Sequence, residues 1–457
     1  MSANERYILP VPDDWRQQLA IGWLWLGVSA LLASGVFSVL LVLSRTPYSE
    51  HFFPWIDFFH TALVVHVDLS VLVWFLAFSG VLWSLNSTPK FRLLGWSGLV
   101  AAIAGTIIIM LSPFTGDGNP LMSNYIPVLE NTAFTVGMTG FVIGIILLLA
   151  RSMTAINRVG QYISAEGALR FGLNATMVSA LIALLAFAWS YLAIPDSYMG
   201  KAYYELLFWG GGHILQFTYT LLMLVGWLWL ASASDVRLPI SPRVVLVLFA
   251  FGLFAVFLAP LIYYSYAVTS SEHIKLFTWL MRYGGSLASL PLSLAILYGL
   301  FSSDAAADEH KPLRAALLSS IILFGLGGLI GFFIHGSNVT IPAHYHGSIV
   351  GVTLALMGIT YELLPRLGYA TPARRIASIQ PWLYGGGQVL HVSGLLWSGG
   401  YGVQRKVAGA EQGLEGTEQI AAMGLMGLGG LISIIGGLLF IYVVLRVLFG
   451  QKMTTNN

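Results

Sequence analysis

Pro342-Ala343-His344-Tyr345-His346-Gly347 leads into an apolar stretch over residues 343–364, long enough to cross a bilayer as a helix. Two histidines at i and i+2 on a helix point about 200° apart at 3.6 residues per turn. They cannot bind one metal together. Each can serve a different cofactor on its own flank of the helix, or each can hydrogen-bond to a neighbouring helix. Ionisable side chains inside a membrane are costly, so each is a functional candidate.

Outward from this stretch the same apolar pattern repeats. Twelve segments approach or exceed the ~20 residues a span requires: 19–45, 57–86, 94–113, 129–153, 169–194, 201–231, 243–268, 275–301, 313–335, 343–364, 379–401 and 419–449. Turn chemistry separates them, as in Asn86-Ser-Thr-Pro89, Gly116-Asp-Gly-Asn-Pro120 and Pro195-Asp196. Of 457 residues only 9% are charged and 57% are apolar, against roughly 25% charged in soluble domains. Lipid must therefore be the solvent for most of the chain. The expected fold is an all-α polytopic membrane protein, with twelve transmembrane helices in one bundle over residues 19–449. Residues 1–18 are polar, lack a signal-peptide layout and are expected in the cytoplasm, as is the tail 450–457. With the N-terminus inside, the outer segments hold only Arg45, Lys201, Lys275, Arg405 and Lys406 of the 22 Lys and Arg. Sixteen lie inside and Arg282 falls within a span. This asymmetry places both termini in the cytoplasm.

The chain has no cysteine, which excludes disulfides, iron–sulfur clusters, thiolate haem ligation, Cys-based zinc sites and covalent haem c. Metal chemistry must rest on His, supported by Asp, Glu, Tyr or Gln. No nucleic-acid partner is expected.

Of ten histidines, His51, His273 and His310 fall in expected loops, where solvation explains them. His66 lies nine residues into the second span, roughly 14 Å deep at 1.5 Å per residue. His213 follows Phe208-Trp209-Gly210-Gly211-Gly212 in the outer half of the sixth. With His344 and His346, four imidazoles share one aromatic-rich slab. Neutral imidazole is a common metal ligand and an axial haem ligand, so the slab points to haem.

The order of these residues resembles the catalytic subunit of the haem–copper oxidase superfamily, which includes nitric oxide reductases. That family has twelve core spans, a His in span two, a His in span six and His-x-His opening span ten. The run from His335 to His346, and Gly358-Ile-Thr-Tyr361-Glu-Leu-Leu-Pro365, are most similar to nitric oxide reductase and B-type oxidase versions. Gly402-Val-Gln-Arg405-Lys406 resembles the basic pair that binds haem propionates. The resemblance implies His66 and His346 as axial ligands of a low-spin haem and His344 as proximal ligand of a high-spin haem. It implies His213 as a ligand of a second, non-haem metal facing that haem, and Arg405 and Lys406 as propionate partners. Electrons would come from a donor subunit or a soluble carrier, of haem c or cupredoxin type, on the outer face of the cell's inner membrane.

Two departures bear on the substrate. Oxygen reductases of the commonest type carry a Tyr four residues after the span-six His, and familiar nitric oxide reductases a Glu. Here Phe217 stands there, with Gln216 before it. Gln can hydrogen-bond but cannot relay a proton as Glu does, and it is similar to less-studied nitric oxide reductase relatives. The family's His-His pair in span seven is replaced by Ala259-Pro-Leu-Ile-Tyr263-Tyr264-Ser-Tyr266. One His with three Tyr is a poor copper site. Either His273 folds back, or the second metal is bound differently, or it is absent.

The resulting expectation is an oxidoreductase passing electrons through a low-spin haem to a high-spin haem that reduces a diatomic gas, nitric oxide ahead of dioxygen. The alternative is a non-catalytic electron-transfer or gas-sensing relative. The expected distal pocket is lined by His213, Gln216, Tyr263 and Tyr264. Around it, Asp68 must be paired, protonated or wet, Arg282 can pair with Asp68 or a propionate, and His391 is expected in a structural hydrogen bond. His335 is either a polar group near the propionates, as the resemblance implies, or a plain interfacial His, Glu362 has a plain interfacial explanation, and His60 is the alternative to His66.

Overall fold

In lipid every backbone N–H and C=O must find its partner within its own segment, so the apolar runs fold as helices. The computed structural model describes residues 6–46, 59–115 and 118–450; His51 and Gly116-Asp117 lie outside them. The helices are α1 (Trp15–Leu43, continuing helical to Arg45), α2 (Phe59–Leu85), α3 (Arg92–Leu111), α4 (Thr132–Thr154), α5 (Ala165–Ala193) and α6 (Gly200–Ala233). They continue as α7 (Pro242–Ser265), α8 (Ser271–Ser302), α9 (Lys311–Phe332), α10 (Thr340–Arg366), α11 (Arg374–Gly400) and α12 (Thr417–Leu448). Between α3 and α4 a small antiparallel hairpin pairs β1 (Asn119–Leu121) with β2 (Val128–Glu130).

Among the described residues eleven of these helices are long and apolar enough to cross a membrane. The expected span 379–401 coincides with α11, which has 27 residues but is diluted by Gln380, Gln388, His391 and several Gly and Ser.

Capping explains one displaced boundary. Ser270 accepts a hydrogen bond from the His273 backbone N–H at 3.2 Å and starts α8 four residues ahead of the expected 275. His273 therefore sits in the first helical turn and is 1% exposed, not solvated in a loop. Two other irregularities fall on apolar helices. α2 widens into a π-turn at Asp68–Val73, a device often found at functional sites. α7 breaks before Ala259-Pro260, where proline removes a backbone donor.

The chain falls into two compact units, and the boundaries cut α1 and α2. The first holds the residues up to Ala30 with Val67–Ser303, the second Leu31–His66 with Asp304 onward. In the first, α3 and α4 approach through Gly98, Gly105, Gly137 and Gly144, where a Cβ would strike the facing backbone. Its polar end is tied by Arg151, fully buried, which donates to the Thr88 carbonyl at 3.0 Å and lies 5.0 Å from the Trp15 ring centre. In the second unit, Gly327 of α9 and Gly347 of α10 touch backbone to backbone.

Candidate functional site

In the second unit three histidines, His66, His344 and His391, are each oriented by a backbone carbonyl, and His346 packs on one of them. The Gly327–Gly347 approach brings the Gly327 carbonyl to 2.7 Å from His344 Nδ1. On α2, His66 Nδ1 lies 3.0 Å from the Ser34 carbonyl and 2.9 Å from the Ser34 hydroxyl. A carbonyl only accepts, so both Nδ1 atoms carry the proton and both Nε2 atoms bear the lone pair. Metal-binding histidines are oriented in this way. His346 packs edge-to-face on His391, ring centres 4.8 Å apart, and lies within electrostatic reach of His66 as well. His391 makes the structural hydrogen bond expected of it, from Nδ1 to the Met426 carbonyl at 2.9 Å. His60 is 3.0 Å from the Lys406 carbonyl through Nε2, so it is engaged elsewhere.

Arg405 and Lys406 follow α11 in a loop pinned beside the start of α10, where Val339 N–H donates to the Val403 carbonyl at 3.0 Å. Both are half-buried, and Arg405 Nε donates to Ser337 at 3.2 Å. A third cation joins them. Arg45, at the end of α1, exerts its charge on Tyr345, His346 and His391. No sequence signal linked it to them, because it lies some 300 residues away. His335 is exposed, and Glu362 pairs with Arg366 at 2.6 Å.

The first unit builds a separate aromatic cluster around His213. Gly210, Gly211 and Gly212 each receive a ring in the place of a Cβ: Tyr263, Phe187 and Tyr125 respectively. The Gly triplet thus lets three rings lie against α6 just ahead of the imidazole. His213 Nδ1 is 2.7 Å from the Trp209 carbonyl, and its Nε2 is 2.8 Å from the Tyr125 hydroxyl. Phe277 joins the cluster's two imidazoles, 5.9 Å from His213 and 4.9 Å from His273 between ring centres. Tyr263 is buried and packs on His273 at 4.8 Å, with its hydroxyl 2.8 Å from Ser190 and donating to the Ala186 carbonyl at 3.0 Å.

Of the expected distal groups, His213 and Tyr263 share this cluster. Gln216 is half-buried three residues along α6. Tyr264 departs from expectation: it is 85% exposed, because adjacent residues on a helix point about 100° apart and Tyr263 takes the inward direction. Tyr125 takes its place, from a hairpin that no spacing rule connects with residue 213. Its buried hydroxyl is pushed well above the usual phenol range by loss of solvent. Asp68 is 1% exposed and neither carboxylate oxygen has a hydrogen-bond partner, so it makes no pair with Arg282. The Tyr219 hydroxyl, likewise unbonded, lies within its electrostatic reach.

Comparison with known proteins decides the family. Residues 18–439 match the family model of cytochrome c and quinol oxidase polypeptide I. The chain belongs to this family. It is therefore a subunit I of the haem–copper oxidase superfamily, a multi-pass membrane oxidoreductase of a kind that normally binds haem. An uncharacterized protein of Rickettsia prowazekii (strain Madrid E) is 30% identical over 95% of this chain and 96% of its own length. Another, from Aquifex aeolicus (strain VF5), is 29% identical over 76% of this chain and 85% of its own. In fold it is similar to a heme-copper terminal oxidase dimer, with TM-score 0.74, 14% identity, and coverage of 97% of this chain and 85% of that one.

The residues fit haem and the second metal unequally. The tautomers of His66 and His344 put the basic lone pair on Nε2, the atom through which each would hold a haem iron. The second metal fits poorly: no three His, Asp or Glu converge among the described residues, and both nitrogens of His213 are engaged.

Proposed function

We propose that this subunit I-type protein carries two haems, accepts electrons from an external donor and reduces a diatomic gas, nitric oxide in preference to dioxygen. The observation that carries the reading is the pair of carbonyl-anchored imidazoles, His66 on Ser34 and His344 on Gly327. His66 and His346 serve the low-spin haem and His344 the high-spin haem. When bound, the haems supply electron transfer and a site for the gas. Arg45, Arg405 and Lys406 supply positive charge for carboxylates at the haem edge. Tyr263 is one of two phenols of the aromatic cluster, with Tyr125, that can bear a proton, and Gln216 a hydrogen-bonding group that cannot itself titrate. The replacement of an acid or Tyr by Gln216-Phe217 supports nitric oxide as substrate.

In this reading both termini face the cytoplasm, residues 19–449 form the twelve-span domain, and the protein sits in the inner membrane. The absence of a Cys-x-x-Cys-His motif assigns electron delivery to a partner subunit or to a soluble haem c or cupredoxin carrier on the outer face.

The test is to purify the protein, quantify haem per chain, and follow nitric oxide and dioxygen consumption with a reduced carrier. Two haems and faster nitric oxide than dioxygen loss support it; no haem sinks it. A second reading, a non-catalytic electron carrier or gas sensor, draws on the engaged nitrogens of His213. It predicts haem that is reduced and binds carbon monoxide while neither gas is consumed.

A further inference from the structure

We propose that Tyr125 occupies the ligand nitrogen of His213 and thereby keeps a second metal off it. This rests on the reading of the protein as a haem-bearing relative of the oxidases, and adds a residue which that resemblance does not supply.

The hydrogen-bond chain has one consistent direction. The Trp209 carbonyl accepts from His213 Nδ1 at 2.7 Å, so Nδ1 holds the ring proton. Nε2 then has the lone pair and accepts from the Tyr125 hydroxyl at 2.8 Å. That lone pair is the one a metal would need. A metal at His213 must first displace the phenol.

The phenol is built in. Tyr125 lies on the connection between β1 and β2, whose register pairs Asn119 with Glu130 and Leu121 with Val128. Asn124 Nδ2 donates to Glu205 of α6 at 2.9 Å, which fastens the connection to the helix that carries His213. Ser123 closes the turn by donating to the Ile126 carbonyl. The Tyr125 ring lies on the Cα of Gly212, where any Cβ would overlap it. Trp209 meets it edge-on at 5.8 Å and is itself fixed by donation from Nε1 to the Ile274 carbonyl at 3.1 Å. His213 is thus enclosed between Trp209 and Tyr125, with ring centres 4.9 and 4.8 Å away.

The rest of the cluster cannot compensate. With Nε2 of His213 taken, His273 is its one remaining imidazole. Tyr263, whose ring packs on His273, is committed to Ser190 and Ala186. One imidazole without thiolate or carboxylate does not retain a transition metal. Removal of the Tyr125 hydroxyl frees Nε2 of His213 as a second imidazole nitrogen beside His273, short of the three protein ligands of a catalytic zinc site, so the added Zn²⁺ binding is weak and is read against wild type.

The experiment is equilibrium dialysis of the purified, haem-loaded full chain against micromolar Zn²⁺, with zinc and haem measured on the same samples. Wild type is compared with Tyr125→Phe, which removes only the hydroxyl, and Gly212→Ala, which dislodges the ring while favouring helix. Both variants are expected to bind several-fold more zinc than wild type, and His213→Ala added to either should abolish the gain. Stoichiometric zinc on wild type that His213→Ala removes would overturn the proposal. So would variants that bind no more than wild type. A preparation without haem would sink the oxidoreductase reading and leave this comparison intact; a failed comparison with haem present sinks Tyr125 alone.

Discussion

The backbone carbonyl of Ser34 accepts a hydrogen bond from His66 Nδ1 at 3.0 Å, joining α1 to α2 within one unit. The bond fixes the tautomer from the main chain, so side-chain substitution at Ser34 leaves it in place. Ser34→Ala should keep the low-spin haem, with loss of affinity at the lower end of the 10–100-fold typical of such supports. His66→Ala and His346→Ala should each abolish the low-spin spectrum. Reduced-minus-oxidised spectra of the three variants check this.

His344→Ala should remove the haem that binds carbon monoxide and leave a six-coordinate low-spin signal. The reason is angular: His344 and His346 leave α10 on opposite flanks. Loss of both haems together, or of neither, would show that the two histidines do not serve separate cofactors.

Gly211→Val places a branched side chain where Phe187 lies against α6. Overpacking of this kind costs about 1–3 kcal/mol. The thermal midpoint of the purified protein should fall, and carbon monoxide binding by any remaining folded fraction should persist. An unchanged midpoint would mean that Phe187 moves aside freely.

Asp68 is buried at the start of the π-turn with no hydrogen-bond partner on either oxygen. A polar group held this way costs about 1–3 kcal/mol, so Asp68→Leu should raise the thermal midpoint. If Asp68 is retained for activity, turnover should drop in the same variant. A rise in stability with unchanged turnover would leave Asp68 without a functional account.

The Arg16 guanidinium bonds both Asp14 oxygens, at 2.7 Å for its closest approach, and holds that carboxyl below the usual range. A lowered folded value means the bond stabilises above the ordinary carboxyl pKa of 3.8, and that this is lost as pH falls through the folded value. Asp14→Asn should therefore cost about 1 kcal/mol or less at pH 7, given partial exposure, and less than that at pH 2. Thermal midpoints at the two pH values measure the difference. Equal destabilisation at both would assign the effect to packing instead.

Apolar run length determined where the long helices lie, because backbone satisfaction in hydrocarbon admits little but helix. The family was legible for a similar local reason: His66, His213, His344 and His346 stand along the chain in the family's order. Neighbouring offsets on α10 also placed the two histidines on different flanks of the helix, since 3.6 residues per turn is a fixed angle. What decided the site's detail was contact between elements far apart in sequence. Gly327 aligns His344 across a helix pair, Arg45 reaches the histidines from another helix end, and Tyr125 caps His213 across 88 residues. His273 moved from loop to core because a single serine hydroxyl, Ser270, starts its helix early. Tyr263 and Tyr264 are chemically equal in the sequence, and only packing against Ser190, Ala186 and His273 made one interior and the other exposed. Periodicity reports which residues share a face of one helix; which face meets which partner is set by the packing of all the helices together.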